Sequence, residues 1–378
     1  METPQLRWGI MGTSNIARKN WKAIGNSKNG HVTAVASREL HRSQLFIDEC
    51  QAQAPFGTIP RALGSYEELL AAPEVDAVYI PLPTAIRGEW VKRAAEAGKH
   101  IVCEKPCATS VAELVEMLDA CRRDHVQFMD GVMFMHSRRL GRIRDVLDDG
   151  KTVGSVRRIT SAFSFRGEEE FFASNIRTQS RLEPDGCLGD LGWYCIRFAL
   201  WAMNWKLPLQ VTGRVLSEYK RQSSKSTVPT EFSGELFFED GVSASFYCSF
   251  ITENEQWTNV SGTRGSLRVP DFVLPFSGTK TSFETMCPVF DIQGCDFEMN
   301  PHNRGWVVEE CSHSDATAQE SQMFHNFANQ VRSGTLNPLW PEIALKTQQV
   351  MQACRKSSLD QGRSVKVTQP AVVEGGPT

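Results

Sequence analysis

The sequence predicts an α/β fold in two parts, a parallel sheet covered by helices and then a mainly antiparallel sheet. Three observations carry this. From Leu6 to about Asp130, short apolar runs alternate with amphipathic stretches of helical length. Those runs are apolar throughout, as strands buried on both faces are. After Asp130 strand-length segments follow one another closely, one pair joined by the turn dipeptide Asp240-Gly241.

Taken in order, Arg7 to Met11 is the first strand and Gly12 breaks it. Ile16 to Ile24 carries helix-compatible residues. His31 to Ser37, rich in Val and Ala, is the second strand, and Leu40 to Cys50 the second helix. Tyr66 to Leu70 is a short helix and Asp76 to Ile80 a buried strand. Glu89 to Ala97 is helical and Gly98 ends it, because glycine accepts the left-handed backbone that follows a last turn. Strand Lys99 to Cys103, helix Ala112 to Arg122 and strand Val126 to Met129 complete the first part. Strands separated by helices of this length pair in parallel through right-handed crossovers. In the second part, Glu231 to Phe238 and Val242 to Phe250 form a hairpin. Trp257 to Ser261 and Ser266 to Val269 flank a turn containing Gly265.

With 378 residues the chain is long enough for two domains. Hydrophobic residues make up 41% and charged ones 22%, as in soluble globular proteins. A net charge of -3 argues against nucleic-acid or anionic-membrane partners, which favour strongly basic surfaces. No run of about 18 apolar residues is present to span a bilayer. The opening METPQLRWGIMG lacks an apolar run preceded by basic residues, so a cytoplasmic location is expected. The 11 cysteines contain no Cys-x-x-Cys pair, which predicts reduced, mostly buried thiols and no metal site.

Three local patterns carry chemistry. Gly12-Thr13-Ser14-Asn15-Ile16-Ala17 lies between the first strand and first helix, where a dinucleotide-binding turn of pattern G-x-G-x-x-G/A sits. Ser14 replaces the second glycine and offers a hydroxyl instead of a close backbone approach. The second strand ends in Ser37-Arg38-Glu39. A hydroxyl and a guanidinium there suit the extra phosphate of NADP, whereas Glu39 would serve the ribose of NAD. Glu104-Lys105-Pro106 ends another strand at the sheet edge where a cofactor would lie. Proline fixes its own φ and restricts Lys105 before it; a plain ion pair at a strand end is the alternative.

The fingerprint, Pro81-Leu82-Pro83, Glu104-Lys105-Pro106 and GCLGDLGWY at 186–194 occur in an order that resembles the Gfo/Idh/MocA oxidoreductases over nearly the whole chain. GSYEELL at 64–70, AGKHIVCEKP at 97–106, DLGWYC at 190–195 and VSGTRGSL at 260–267 resemble its dihydrodiol and xylose dehydrogenase branch. The resemblance implies a Rossmann domain over 1–130 and a substrate and oligomerisation domain over 131–369, built on an open, mainly antiparallel sheet. Residues 370–378 read as a flexible tail. It also implies NADP (or NAD) as cofactor, a sugar, polyol or diol as substrate, and a homo-oligomer, a dimer or larger. Gly12 to Ile16, Ser37, Arg38, Pro81, Leu82, Glu104 and Lys105 fall at the cofactor by this reading. Thr84 and Arg87, at the end of the fourth strand, join them, standing where relatives often carry Asn or His and then His.

The resemblance places Lys105 beside the nicotinamide and the reacting oxygen. The family's Asp-x-x-x-His motif is here Asp190 to Tyr194, four apart and so on one helix face. A phenol of pKa about 10 is a slow base at neutral pH, and a nearby ammonium would lower it. Lys105 is expected to do so, with Asp190 orienting substrate or balancing the lysine. Met133, Phe134 and His136 are candidates for the substrate wall or for core. Arg138, Arg139, Arg142 and Arg144 read as a solvated face. A dinucleotide-binding regulator without turnover is the rival function, but it needs no acid-base pair.

Overall fold

The computed structural model describes residues 5–312 and 315–367, so the predicted tail at 370–378 lies outside it. Its first part runs β1 (Leu6–Met11), α1 (Asn15–Asn26), β2 (Gly30–Ala36), α2 (Leu40–Gln53), β3 (Arg61–Leu63) and α3 (Tyr66–Ala71). It continues through β4 (Ala77–Ile80), α4 (Thr84–Glu96), β5 (His100–Cys103), α5 (Val111–Arg123) and β6 (Phe128–Asp130). The six strands are ordered β3-β2-β1-β4-β5-β6 and all neighbours are parallel. Strand order reverses between β1 and β4, and the crevice above that reversal is where such sheets bind ligands. The sequence reading has no counterpart for β3, whose three residues carry too little periodicity. Helix α4 starts at Thr84 rather than at Glu89, because a distant carboxylate holds its first turn.

The second part runs α6 (Arg138–Asp148), β7 (Val156–Ser164), α7 (Glu169–Ser174), α8 (Trp193–Ala202), β8 (Gln210–Tyr219), β9 (Val228–Phe237) and β10 (Ser243–Ser249). Then come β11 (Glu255–Gly262), β12 (Ser266–Val269), β13 (Lys280–Met286), β14 (Val289–Gln293), β15 (Asp296–Asn300) and β16 (Asn303–Glu309). Helices α9 (Gln319–Arg332) and α10 (Leu339–Leu359) and a short β17 (Val365–Lys366) close the described chain. Nine strands form one sheet ordered β16-β13-β12-β11-β7-β10-β9-β8-β17, antiparallel except for the β7–β10 pair. The expected hairpin is β9–β10, turning through Asp240 and Gly241, both left-handed at φ 57° and 69°. Helices α8 and α10 pack on the inner face of this sheet.

Helices α9 and α10 both cross back to the first part, α10 onto α5 and β6. Helix α9 returns to the parallel sheet, with Phe324 edge-on to Trp8 and Tyr79 and Phe327 against Trp8. Eight of the eleven cysteines are buried and all are free. No helix is long and apolar enough to cross a membrane, and no cluster of metal-ligating side chains occurs among the described residues.

Candidate active site

Gly12 adopts φ +110°, which side-chain-bearing residues rarely reach, and a Cβ there would lie 3.2 Å from Leu82. The turn after β1 is thus pressed against the end of β4. Ser14 stands at the N-cap of α1 yet its side chain caps nothing, and its Oγ is buried without a partner. No acidic residue occupies the first turn of α1. Free donors and the positive end of a helix dipole therefore face the crevice, which fits the pyrophosphate of a dinucleotide. Thr13 is half-buried, and Asn15 and Ile16 are exposed beside it.

Ser37 is engaged within its own loop. Its Oγ donates to the Glu39 carbonyl at 2.6 Å and lies 3.0 Å from the Ser43 hydroxyl, so its proton is used inside the loop. Arg38 is exposed. Burial pushes the Tyr66 phenol up, while Arg38 and Arg42 pull it the other way. The Tyr66 hydroxyl in turn lies 3.9 Å from where a Gly12 Cβ would sit. Two cations, Arg38 and Arg42, thus act on a tyrosine beside the fingerprint turn; the sequence reading picked out only the first.

At the ends of β4 and β5 the polar groups are committed to protein. Leu82 follows Pro81, and its carbonyl accepts from Arg87 Nε at 3.0 Å. The same buried guanidinium donates to the carbonyls of Glu104 and Pro106, joining the two loops. The Thr84 N–H and hydroxyl both donate to the Glu183 carboxylate, at 2.9 and 2.6 Å. Glu104 and Lys105 are not an ion pair. Glu104 accepts from the Tyr79 hydroxyl at 2.6 Å, which accepts from Asn20 at 2.6 Å. Gly131 packs closely on this carboxylate, where a Cβ would stand 3.1 Å from Glu104 Oε1.

Lys105 turns instead to Asp190 and Tyr194. Its Nζ donates to Asp190 Oδ1 at 2.7 Å and to the Asp190 carbonyl at 2.6 Å, and sits 4.6 Å from the centre of the Tyr194 ring. The structure brings these three residues together across 85 and more positions of sequence. Asp190 lies in a π-turn, Leu188–Gly192, and Tyr194 in the first turn of α8. Single π-turns inside helices recur at functional sites, where they re-aim side chains. Arg177 was not expected. Its Nε contacts Asp190 Oδ2 at 2.7 Å, so one carboxylate bridges two cations. Burial opposes the charge on Asp190, but Arg177 and Lys105 outweigh it and hold the group at about 2.

The Tyr194 phenol is not lowered as the sequence led one to expect. Burial pushes it well above its ordinary value, Glu104 and Asp190 push the same way, and the opposing cation is Arg177. Its hydroxyl faces Met133 Sδ at 3.7 Å, and Phe134 and Phe163 stand beside the ring. His136 points elsewhere, into contact with Asn326, where burial and Arg197 push its imidazole down to about 4. The basic run is not wholly a solvated face either, since Arg139 is buried against Asp271.

Arg177 and Glu183 belong to one strap that ties both halves of the site, and Asp185 follows them. Burial lifts the Asp185 carboxyl to about 6, against Arg355 and with Glu183. A carboxyl that holds its proton more tightly when folded contributes stability at low pH that is lost as pH rises from about 4 through 6. Thermal melting in that window is expected to show a decline that Asp185→Asn flattens; an unchanged slope in the variant would remove Asp185 as its source.

Residues 6–132 match a family described as "Oxidoreductase family, NAD-binding Rossmann fold", and 141–268 match the GFO/IDH/MocA C-terminal domain. The D-xylose 1-dehydrogenase (NADP(+)) 2 of Haloferax volcanii is 32% identical over 285 residues, 74% of this chain and 81% of that protein. The chain belongs to this oxidoreductase family. The trans-1,2-dihydrobenzene-1,2-diol dehydrogenase of Mus musculus is 30% identical, covering 71% of this chain and 76% of its own. A mutant of the 3-ketoreductase KijD10 from Actinomadura kijaniata, in complex with TDP-benzene and NADP, superposes with a TM-score of 0.76 at 25% identity, over 93% and 98% of the two chains. The Gfo/Idh/MocA parallel sheet and the mostly antiparallel second sheet are therefore as the resemblance implied.

Proposed function

We propose that the protein is an NADP-dependent dehydrogenase or reductase acting on a CH–OH or carbonyl carbon of a sugar, polyol or cyclic diol. The observation that carries this is the Lys105 amine, shared between the Asp190 carboxylate and the face of the Tyr194 ring. Relatives named for xylose, a dihydrodiol and a keto sugar support the substrate class. The nicotinamide, when bound, accepts or supplies the hydride. Lys105, with two of its three N–H donors on Asp190, would donate the third to the reacting oxygen. Asp190, kept charged by Arg177 and Lys105, holds the amine aimed. Tyr194, kept neutral, suits proton donation to a carbonyl oxygen, so reduction is the direction the site favours at neutral pH. Following nicotinamide absorbance with NADP and NADPH across sugars, ketones and diols tests this. Nucleotide binding with no turnover on any of them would favour a regulator.

Arg38 and Arg42 favour NADP over NAD, because two guanidinium groups stand where a 2′-phosphate needs donors. Arg38→Ala is expected to raise KM for NADP roughly ten-fold or more, the scale of one charge-assisted contact. KM for NAD should move far less; equal changes would refute the assignment. The face of the nine-stranded sheet opposite α8 and α10 is proposed as a homodimer surface, and a cytoplasmic location fits the free thiols.

A further inference from the structure

A cavity of about 540 Å³ lies behind one wall of the active site. That wall is the 3₁₀ turn Met133–His136. Met133 and Phe134 meet Tyr194, whereas Met135 and His136 line the cavity. Helices α8, α9 and α10 close the other sides through Trp201, through Asn326 and Gln330, and through Trp340. Trp205, just past α8, completes the lining. The volume is that of a small-molecule site.

The charges here cancel. Asp130 and Arg197 are the charged groups of the lining, and they pair with each other. Burial and Arg197 hold the His136 imidazole neutral, at about 4. Uncommitted polar atoms, by contrast, are many. Asn326 Nδ2 donates to His136 Nδ1 at 3.1 Å, which puts the ring proton on Nε2, where it has no acceptor. The indole N–H groups of Trp201, Trp205 and Trp340 donate to nothing. Asn326 Oδ1 and Gln330 Oε1 accept nothing, since both amides are held through their nitrogens. Among the described residues none of these atoms finds a protein partner, yet none is sealed from solvent.

We infer that this cavity binds a neutral sugar ring, at a site separate from the reacting one. A charged ligand would find no counter-charge there. A purely apolar ligand would bury the indole and imidazole N–H groups and both amide oxygens without hydrogen bonds, at a cost for each. A sugar ring meets both demands. Its C–H faces are apolar enough to lie on an indole plane, and its oxygens both donate and accept. The four N–H groups then gain acceptors, and the two amide oxygens gain hydroxyl donors. Trp205 is the platform, because Phe327 covers one face of Trp340 and Arg144 one face of Trp201.

The test titrates methyl β-D-glucopyranoside calorimetrically into the full chain saturated with NADPH. Binding is expected to survive Lys105→Met, which removes the amine proposed to meet the reacting oxygen. Trp205→Leu should weaken it about ten-fold or more, as loss of an aromatic anchor does. Gln330→Leu lies outside the core, removes one acceptor, and should weaken binding about three-fold or more. NADPH affinity should be unchanged in both cavity variants, which guards against misfolding. Methyl β-D-glucuronide, the same ring carrying a carboxylate, should bind about ten-fold more weakly than the glucoside. No binding by the parent protein, its loss in Lys105→Met, parent affinity in either cavity variant, or equal affinity for the glucuronide would each overturn the inference.

Discussion

Tyr194→Phe is expected to lower turnover about 10²- to 10⁴-fold, the contribution of a positioned general acid or base. The substitution removes one oxygen and keeps the ring over which the Lys105 ammonium sits, so the cation–ring contact persists. Its hydroxyl donates to Met133 Sδ at 3.7 Å, a weak acceptor, so little stability should be lost. Nucleotide affinity should also be unchanged, which separates a chemical from a structural effect. The pH dependence offers a second reading. A phenol held above its ordinary value is neutral through the physiological range. Carbonyl reduction should therefore fall only at alkaline pH, and alcohol oxidation should rise there. Turnover within about three-fold of the parent would remove Tyr194 from the reaction.

Asp130→Leu is expected to destabilise the protein by roughly 3–5 kcal/mol, the cost of leaving a buried charge unpaired. Arg197 is fully buried, and both its terminal nitrogens donate to Asp130, at 2.5 and 3.2 Å. Its Nε donates to Thr347 of α10 at 2.7 Å, and Trp193 donates to the same carboxylate at 3.3 Å. The pair therefore joins the end of the parallel sheet to α8 and α10, one turn beyond Tyr194. Denaturant midpoints would measure the loss. The double variant Asp130→Leu/Arg197→Met should recover most of it, because removing both charges removes the burden of burying either. A single variant that costs under about 1 kcal/mol would show that water reaches Arg197.

Much of this was legible beforehand, for local reasons. The strand–turn–helix repeat up to Asp130 follows from periodicity, and Gly12 from the backbone its turn demands. Lys105, Asp190 and Tyr194 could be singled out because their motifs are contiguous, but their mutual geometry depends on packing between distant segments. That is why the phenol shift came out with the opposite sign. Proximity to an ammonium was visible in the pattern, whereas burial and the Glu104 carboxylate were not. Arg177 escaped notice because it sits in an irregular segment whose only signal is a lone Asn-Ile-Arg. Arg139 was read as solvated because helical spacing alone does not tell which arginine finds an Asp271 far along the chain. Thr84 and Arg87 were placed at the cofactor by position, and their hydrogen bonds to Glu183 and to loop carbonyls depend on where the strap falls.

The return of α9 to the parallel sheet has a consequence for synthesis on the ribosome. Trp8 and Tyr79 are sealed by Phe324 and Phe327, residues translated only after all but the last strand of the second sheet. The nucleotide-binding half therefore leaves the exit tunnel with an uncovered aromatic face and must wait for that late helix. A fragment ending near residue 130 would carry the same uncovered face and tend to aggregate or recruit chaperones, however complete its strands.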